Sequence, residues 1–168
     1  MSDFNGRAFL SYSATLTSES LHLFTDASKS GFGGIFGRRY FMGSFPEAWS
    51  ILDIQCLELY PIFMVLTLHA SKLSNAFITL HCDNAPLVSN LNKLTSRNKQ
   101  VMRFLRPLVL TLLRNAITIR AIHIPGINNV ISVKLSRGQV PHHLLREEGL
   151  LDTPLRIPAY LLPANCMI

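Results

Sequence analysis

At 168 residues the chain has the length of one domain, with 48% hydrophobic and 15% charged residues. That balance excludes a mainly disordered chain, and no apolar run reaches the roughly 18 residues of a membrane span. Sixteen Lys and Arg against ten Asp and Glu give a formal charge of +6, the sign of a domain that meets a polyanion such as nucleic acid. The start of the chain carries Asp3, Arg7 and Glu19 and lacks the apolar stretch of a secretory signal. Cys56, Cys82 and Cys166 have no CxxC spacing, which argues against a disulfide framework or zinc site. A reducing, intracellular setting, cytoplasmic or nuclear, fits best.

No internal repeat or Gly/Ser linker interrupts the sequence. It divides into an irregular segment over 1–19, one domain over 20–138, and a peripheral tail over 139–168. Residues 21–25 predict a first strand, closed by Asp26-Ala27-Ser28. After a glycine cluster, 33–38 and 40–45 read as two more strands, close enough for an antiparallel meander. A helix follows over 53–71, with Ile54, Leu57, Ile62, Val65, Leu66 and His69 at three- and four-residue steps. Pro61 should bend that helix or delay its regular start.

Residues 76–82 return to a strand that ends at Asp83, and 86–94 predict a short helix. A longer helix over 98–115 would bury Val101, Phe104, Leu105, Leu108 and Leu112. Its opposite side carries Lys99, Arg103, Arg106 and Arg114, either as a phosphate-contacting face or as a solvated one. Residues 116–124 form the last strand, and Pro125-Gly126 turns the chain into a short helix around 130–137. The order β-β-β-α-β-α-α-β-α predicts an α/β domain with a mixed five-stranded sheet. Three strands are antiparallel, and two parallel strands are added through helical crossovers.

Three acids stand out in that order. Asp26 and Asp83 each end a strand, and if those strands are parallel neighbours both emerge at one carboxyl edge. Glu58 is the only acid in an otherwise apolar helix, so it needs a cation or an exit to water. Converging carboxylates suit a hard cation, Mg²⁺ or Mn²⁺, rather than zinc.

Several short motifs match a known family in order and spacing. They are Phe24-Thr25-Asp26-Ala27-Ser28 with Gly31, Gly33 and Gly34, then Leu57-Glu58-Leu59-Tyr60-Pro61-Ile62, then Cys82-Asp83-Asn84. His123-Ile124-Pro125-Gly126, Asn129 and Leu135-Ser136-Arg137 follow. Over roughly residues 21–163 the chain resembles the ribonuclease H domain of a retroelement reverse transcriptase, closest to the DIRS-like (tyrosine-recombinase) elements. The resemblance implies a ribonuclease H-like fold and an endonuclease that cuts the RNA strand of an RNA–DNA hybrid. It implies two Mg²⁺ ions about 4 Å apart, with Asp26 bridging them and Glu58 and Asp83 holding one of them. It implies contacts to the hybrid from Ser28, Gly31 and Asn84, and a reverse transcriptase domain as partner.

One departure bears on activity. The family pattern His-x-Pro-Gly-x-x-Asn-x-x-Ala-Asp-x-Leu-Ser-Arg aligns without a gap, and Val133 falls where the fourth aspartate belongs. Valine offers no oxygen to a metal, Lys134 beside it adds positive charge, and Asn129 and Ser132 are neutral. The expectation is therefore a nucleic-acid-binding domain with a weak or single metal site and lost or impaired cleavage. The alternatives are an active two-metal endonuclease and a non-catalytic connector or protein-interaction domain of a polyprotein. His123 reads as structural, Trp49 and the phenylalanines as core, His142-His143 as surface, and Cys82 as a buried small apolar residue.

Overall fold

The computed structural model describes residues 21–166, so the segment expected to be irregular over 1–19 lies outside the described residues. Strands β1 (Leu21–Ala27), β2 (Gly31–Phe36) and β3 (Arg39–Ser44) form the antiparallel meander. Helix α1 (Ile54–Leu68) crosses over to β4 (Phe77–Cys82), which pairs in parallel with β1. Helices α2 (Ala85–Lys93) and α3 (Lys99–Arg114) then lead to β5 (Thr118–His123), parallel to β4. Helices α4 (Val130–Ser136) and α5 (His142–Glu147) complete the regular elements. The sheet order β3-β2-β1-β4-β5 gives the mixed ribonuclease H-like arrangement that the sequence implied. Among the described residues no helix is long and apolar enough to cross a membrane.

Local chemistry sets the helix starts. The Asp53 carboxylate accepts from the Gln55 amide, Asn84 from Leu87, and Asn98 from Gln100 and Val101. Each oxygen satisfies amides that have no partner in the first helical turn. Pro61 does not delay α1, which runs from Ile54 through the proline to Leu68. The missing proline N–H removes only one internal hydrogen bond, and the buried surroundings of the helix hold it in place. In keeping with its almost wholly apolar sequence, α1 is buried on more than one side: Cys56 through Ile62 and Met64 through Leu66 are all buried. The sheet packs on one side of the helix and α3 on another.

The second strand corrects the sequence reading. It starts two residues before the expected 33–38 and ends at Phe36, so that Gly31 joins Gly33 and Gly34 inside β2. A Cβ on Gly33 would stand 2.3 Å from the Cβ of Leu135 in α4, and one on Gly34 would stand 2.2 Å from the Phe24 carbonyl oxygen. Helix α4 therefore rests on bare backbone at Gly31 and Gly33, while Gly34 makes room for Phe41.

Among the described residues Trp49 and the phenylalanines other than the exposed Phe77 pack in or against the core, as expected. Trp49 meets Tyr60 edge-on at 5.3 Å and lies 5.4 Å from Phe45 and 5.6 Å from Phe104. The segment after Gly138, expected to be peripheral, also contributes to the interior. Leu145 and Leu150 pack with Tyr40 and Leu135, and Leu161 joins the main core. The buried Tyr60 hydroxyl donates to the Leu161 carbonyl oxygen.

Gly33→Ala is expected to lower the urea midpoint, with a loss of about 3 kcal/mol or more, because backbone and Leu135 must both shift. Gly138→Ala meets open space and bears only its positive φ, so its loss should stay near 1 kcal/mol. Equal losses at the two positions would contradict the contact role of Gly33.

Candidate metal and nucleic-acid site

Strand register brings the first two acids together. Phe24 pairs with His81 across the parallel β1–β4 ladder, and the same register two residues on sets Asp26 beside Asp83. Helix α1 packs against β1 and presents Glu58 from its second turn. One carboxylate oxygen from each of Asp26, Glu58 and Asp83 lies within 4.8 Å of the others. Among the described residues this is the only such group of metal-binding side chains. Asp83 is the most accessible of the three, while Asp26 and Glu58 are buried.

The electrostatics are unfavourable for three charges. Burial first, then the charges of Asp26 and Asp83, push the Glu58 carboxyl up to about 9, against a backbone hydrogen bond from Ala27. Glu58 Oε2 is buried and has no hydrogen-bond partner among the described residues. Asp26 is also raised, chiefly by burial and further by Asp83, while the Ser136 hydrogen bond and the Arg137 charge oppose the shift. A cluster of this kind either keeps a proton or takes up positive charge. Its orphaned carboxylate oxygen and all-oxygen donor set fit a hard divalent cation, which Asp26, Glu58 and Asp83 would hold.

The surroundings keep these acids in place and open. Asn129 Nδ2 donates to the Thr25 carbonyl at 2.8 Å, tying the start of α4 to the residue before Asp26. A Cβ on Gly126 would lie 3.1 Å from Asp83 Oδ2, so glycine leaves that flank clear. His123 Nε2 lies 3.2 Å from the Asp83 carbonyl oxygen, which supports the structural role expected of it. Cys82 is buried, and His142 pairs at the surface with Asp152 at 2.7 Å.

Helix α4 decides what faces Asp26. The Ser136 hydroxyl donates to Asp26 Oδ2 at 2.5 Å and lies 2.9 Å from the Val133 carbonyl. Val133 precedes Ser136 by three residues and so shares its helical face. A neutral hydroxyl thus stands at the acid that the resemblance makes the bridging ligand, with an apolar side chain one turn away. Ser132 does not join the carboxylates; it is fully buried and its hydroxyl has no partner among the described residues.

The residues expected to touch nucleic acid fall into two groups. The Ser28 hydroxyl bonds within the β1–β2 turn and to the Ser136 carbonyl at 3.1 Å. Gly31 lets Gly43 and Ser136 carbonyls approach, and Asn84 caps α2 through Oδ1. All three lie near the carboxyl edge, already engaged in holding it together. Lys99, Arg103 and Arg106 line a groove beside α3 together with Arg97, whereas Arg114, in the last turn, is not part of its lining. Sequence reasoning missed Ser136 and Arg137 as neighbours of Asp26, and Arg97 as a groove residue. The three-residue step from Val133 to Ser136 was the available signal for the first; a loop arginine such as Arg97 carries no periodic signal.

No family model matches the chain, and no curated protein matches it. Among solved structures, LC11-RNase H1, isolated from compost by a metagenomic approach, aligns at 12% identity with a TM-score of 0.49. The alignment covers 74% of this chain and 98% of that one.

The raised Glu58 pKa sets a pH dependence. An acid raised on folding contributes stability that is present below its ordinary value, 4.5, and is lost as pH climbs toward about 9. The melting temperature in EDTA should therefore fall across that window. Glu58→Gln should flatten the dependence and melt higher than the parent by roughly 3 °C or more near pH 8. A parent whose melting temperature stays level from acid to alkaline pH would refute the buried-carboxyl account.

Proposed function

We propose that the chain is a retroelement-type, ribonuclease H-like domain that binds an RNA–DNA hybrid at its carboxyl edge, with lost or impaired cleavage. The observation that carries this reading is the pairing of a three-carboxylate cluster with Val133 and Ser136 on the helix face toward Asp26. Asp26, Glu58 and Asp83 would hold one Mg²⁺ or Mn²⁺ weakly, and a bound ion would polarise a phosphate oxygen or a water. The chain's own groups set the rest. Asp26 is held by Ser136, Glu58 enters from the apolar side, and Asp83 faces solvent beside Gly126.

Cleavage by two metals needs anionic ligands for both ions, and valine contributes none. Loss of one ligand from such a site lowers the rate by about three decades or more. Lys99, Arg103, Arg106 and Arg114 add phosphate contacts in this reading, and a reverse transcriptase domain is the partner of such a module. A fully active endonuclease is the second reading, favoured by the convergence of the three carboxylates within 4.8 Å.

Calorimetric titration should show Mg²⁺ or Mn²⁺ binding that Asp26→Asn removes; no heat at millimolar metal would overturn the metal site. Cleavage of a labelled RNA–DNA hybrid should be undetectable for the parent in either metal. Val133→Asp should cut, with a gain of about three decades over background, and Val133→Asp/Asp26→Asn should be silent. A parent that cuts and is silenced by Asp26→Asn would instead establish the second reading.

A further inference from the structure

The groove beside α3 is a separate feature from the carboxylate edge. It encloses about 790 Å³ between α1, α3 and the C-terminal segment, and Arg97, Lys99, Arg103 and Arg106 line it. Lys99, Arg103 and Arg106 recur at steps of four and three, which places them along one stripe of the helix. The sequence of α3 contains no acid, and Glu58 is the one acid of α1. Among the described residues the ion pair found is His142–Asp152, which involves none of these cations. Four positive groups thus line one concavity, and no carboxylate is among its described lining residues. Phe63 and Met102 supply apolar lining between the charges.

The groove is also oriented toward the site. Gln100 Oε1 accepts from the Asp53 amide at 2.8 Å, and the Cys56 thiol donates to the Gln100 carbonyl at 3.5 Å. The first turn of α3 is therefore fixed to the first turn of α1, and Glu58 lies five residues beyond Asp53, about 7.5 Å along the axis. From Lys99 to Arg106 the stripe then runs roughly 10 Å along α3. A nucleic-acid strand within a duplex carries one phosphate about every 3.4 Å of axis, so the stripe matches about three consecutive phosphates. The positive end of the α3 macrodipole lies at the same end of the groove.

We infer that this groove is a second nucleic-acid contact, a metal-independent track for consecutive phosphates of a hybrid whose other part lies at the carboxylates. The inference rests on the hybrid-binding reading and adds to it a place, Arg97 included, and a binding mode. Phosphate oxygens meet the guanidinium groups, which suit them as paired donors, and sugar and base edges lie against Phe63 and Met102. Bound counterions leave as the phosphates arrive, so this part of the affinity falls steeply with salt.

The test is fluorescence anisotropy of a labelled RNA–DNA hybrid in EDTA, titrated at several salt concentrations. Arg103→Gln/Arg106→Gln should weaken binding by about tenfold or more and lower the slope of log K against log salt by about 1.8. Arg103→Lys/Arg106→Lys keeps both charges and should keep the slope, which separates charge from packing. Arg146→Gln, on α5 at the other face of the sheet, should bind as the parent does. A parent that binds hybrid while the Gln/Gln variant shows the same affinity and slope would overturn the groove and leave the hybrid-binding reading standing. A parent that binds no hybrid would overturn that reading as well. Polyglutamate bound as tightly as hybrid, and lost in the Gln/Gln variant, would make the partner an acidic protein and refute the phosphate track.

Discussion

The contact between α4 and β2 is the constraint on which the site depends. Glycine at 31 and 33 removes the side chains that would hold the helix away from the sheet. Close approach lets Asn129 reach the Thr25 carbonyl and Ser136 reach the Asp26 carboxylate. Those two hydrogen bonds bracket about two turns of helix against the end of β1. Everything between them, Val133 included, is fixed in orientation as a result. The chemistry offered to Asp26 is therefore set by glycines on a different strand.

That scaffold carries an electrostatic imbalance in opposite senses at two places. At the carboxyl edge, three acids crowd into partly apolar surroundings, and Glu58 is raised far from its ordinary value by burial and by its neighbours. Beside α3, four cations share a concavity with no acid among its described lining residues. Separation matters here, because direct pairing of the two sets would neutralise both. Instead, each remains available to an external charge: a hard cation at the acids, phosphates at the bases. A ligand that brings both kinds of charge, such as a nucleic acid with its associated divalent ions, complements the pair better than either alone.

Much of this was legible in the sequence. Strand order and the alignment of Asp26 with Asp83 follow from two acids that close β-patterned runs separated by one helical crossover. Glu58 stood out because a lone acid in an apolar helix is physically conspicuous. The packing role of Gly31 and Gly33 was not legible because a residue without a side chain looks the same in a turn and under a packed helix. Only the partner, Leu135, tells the two apart, and it is about a hundred residues away. The contribution of Leu145, Leu150 and Leu161 was missed for a related reason: short irregular segments bury isolated leucines without a period to reveal them. Val133 was read from alignment to a motif, and Ser136 as the hydroxyl occupying Asp26 emerged only from helical geometry.

The hydrogen bond from Tyr60 to Leu161 links residues 101 positions apart. Tyr60 sits in the middle of α1, in contact with Phe32, Phe45, Trp49 and Phe104. On a ribosome, the centre of the domain is thus made long before the group that satisfies its phenol. A nascent chain from which Leu161 is still missing leaves that polar atom unpaired beneath the aromatic cluster, at a penalty of about 1–3 kcal/mol. Completion of the core therefore waits on synthesis of the segment around Leu161, and a chain cut before it is marked in the interior rather than at the surface.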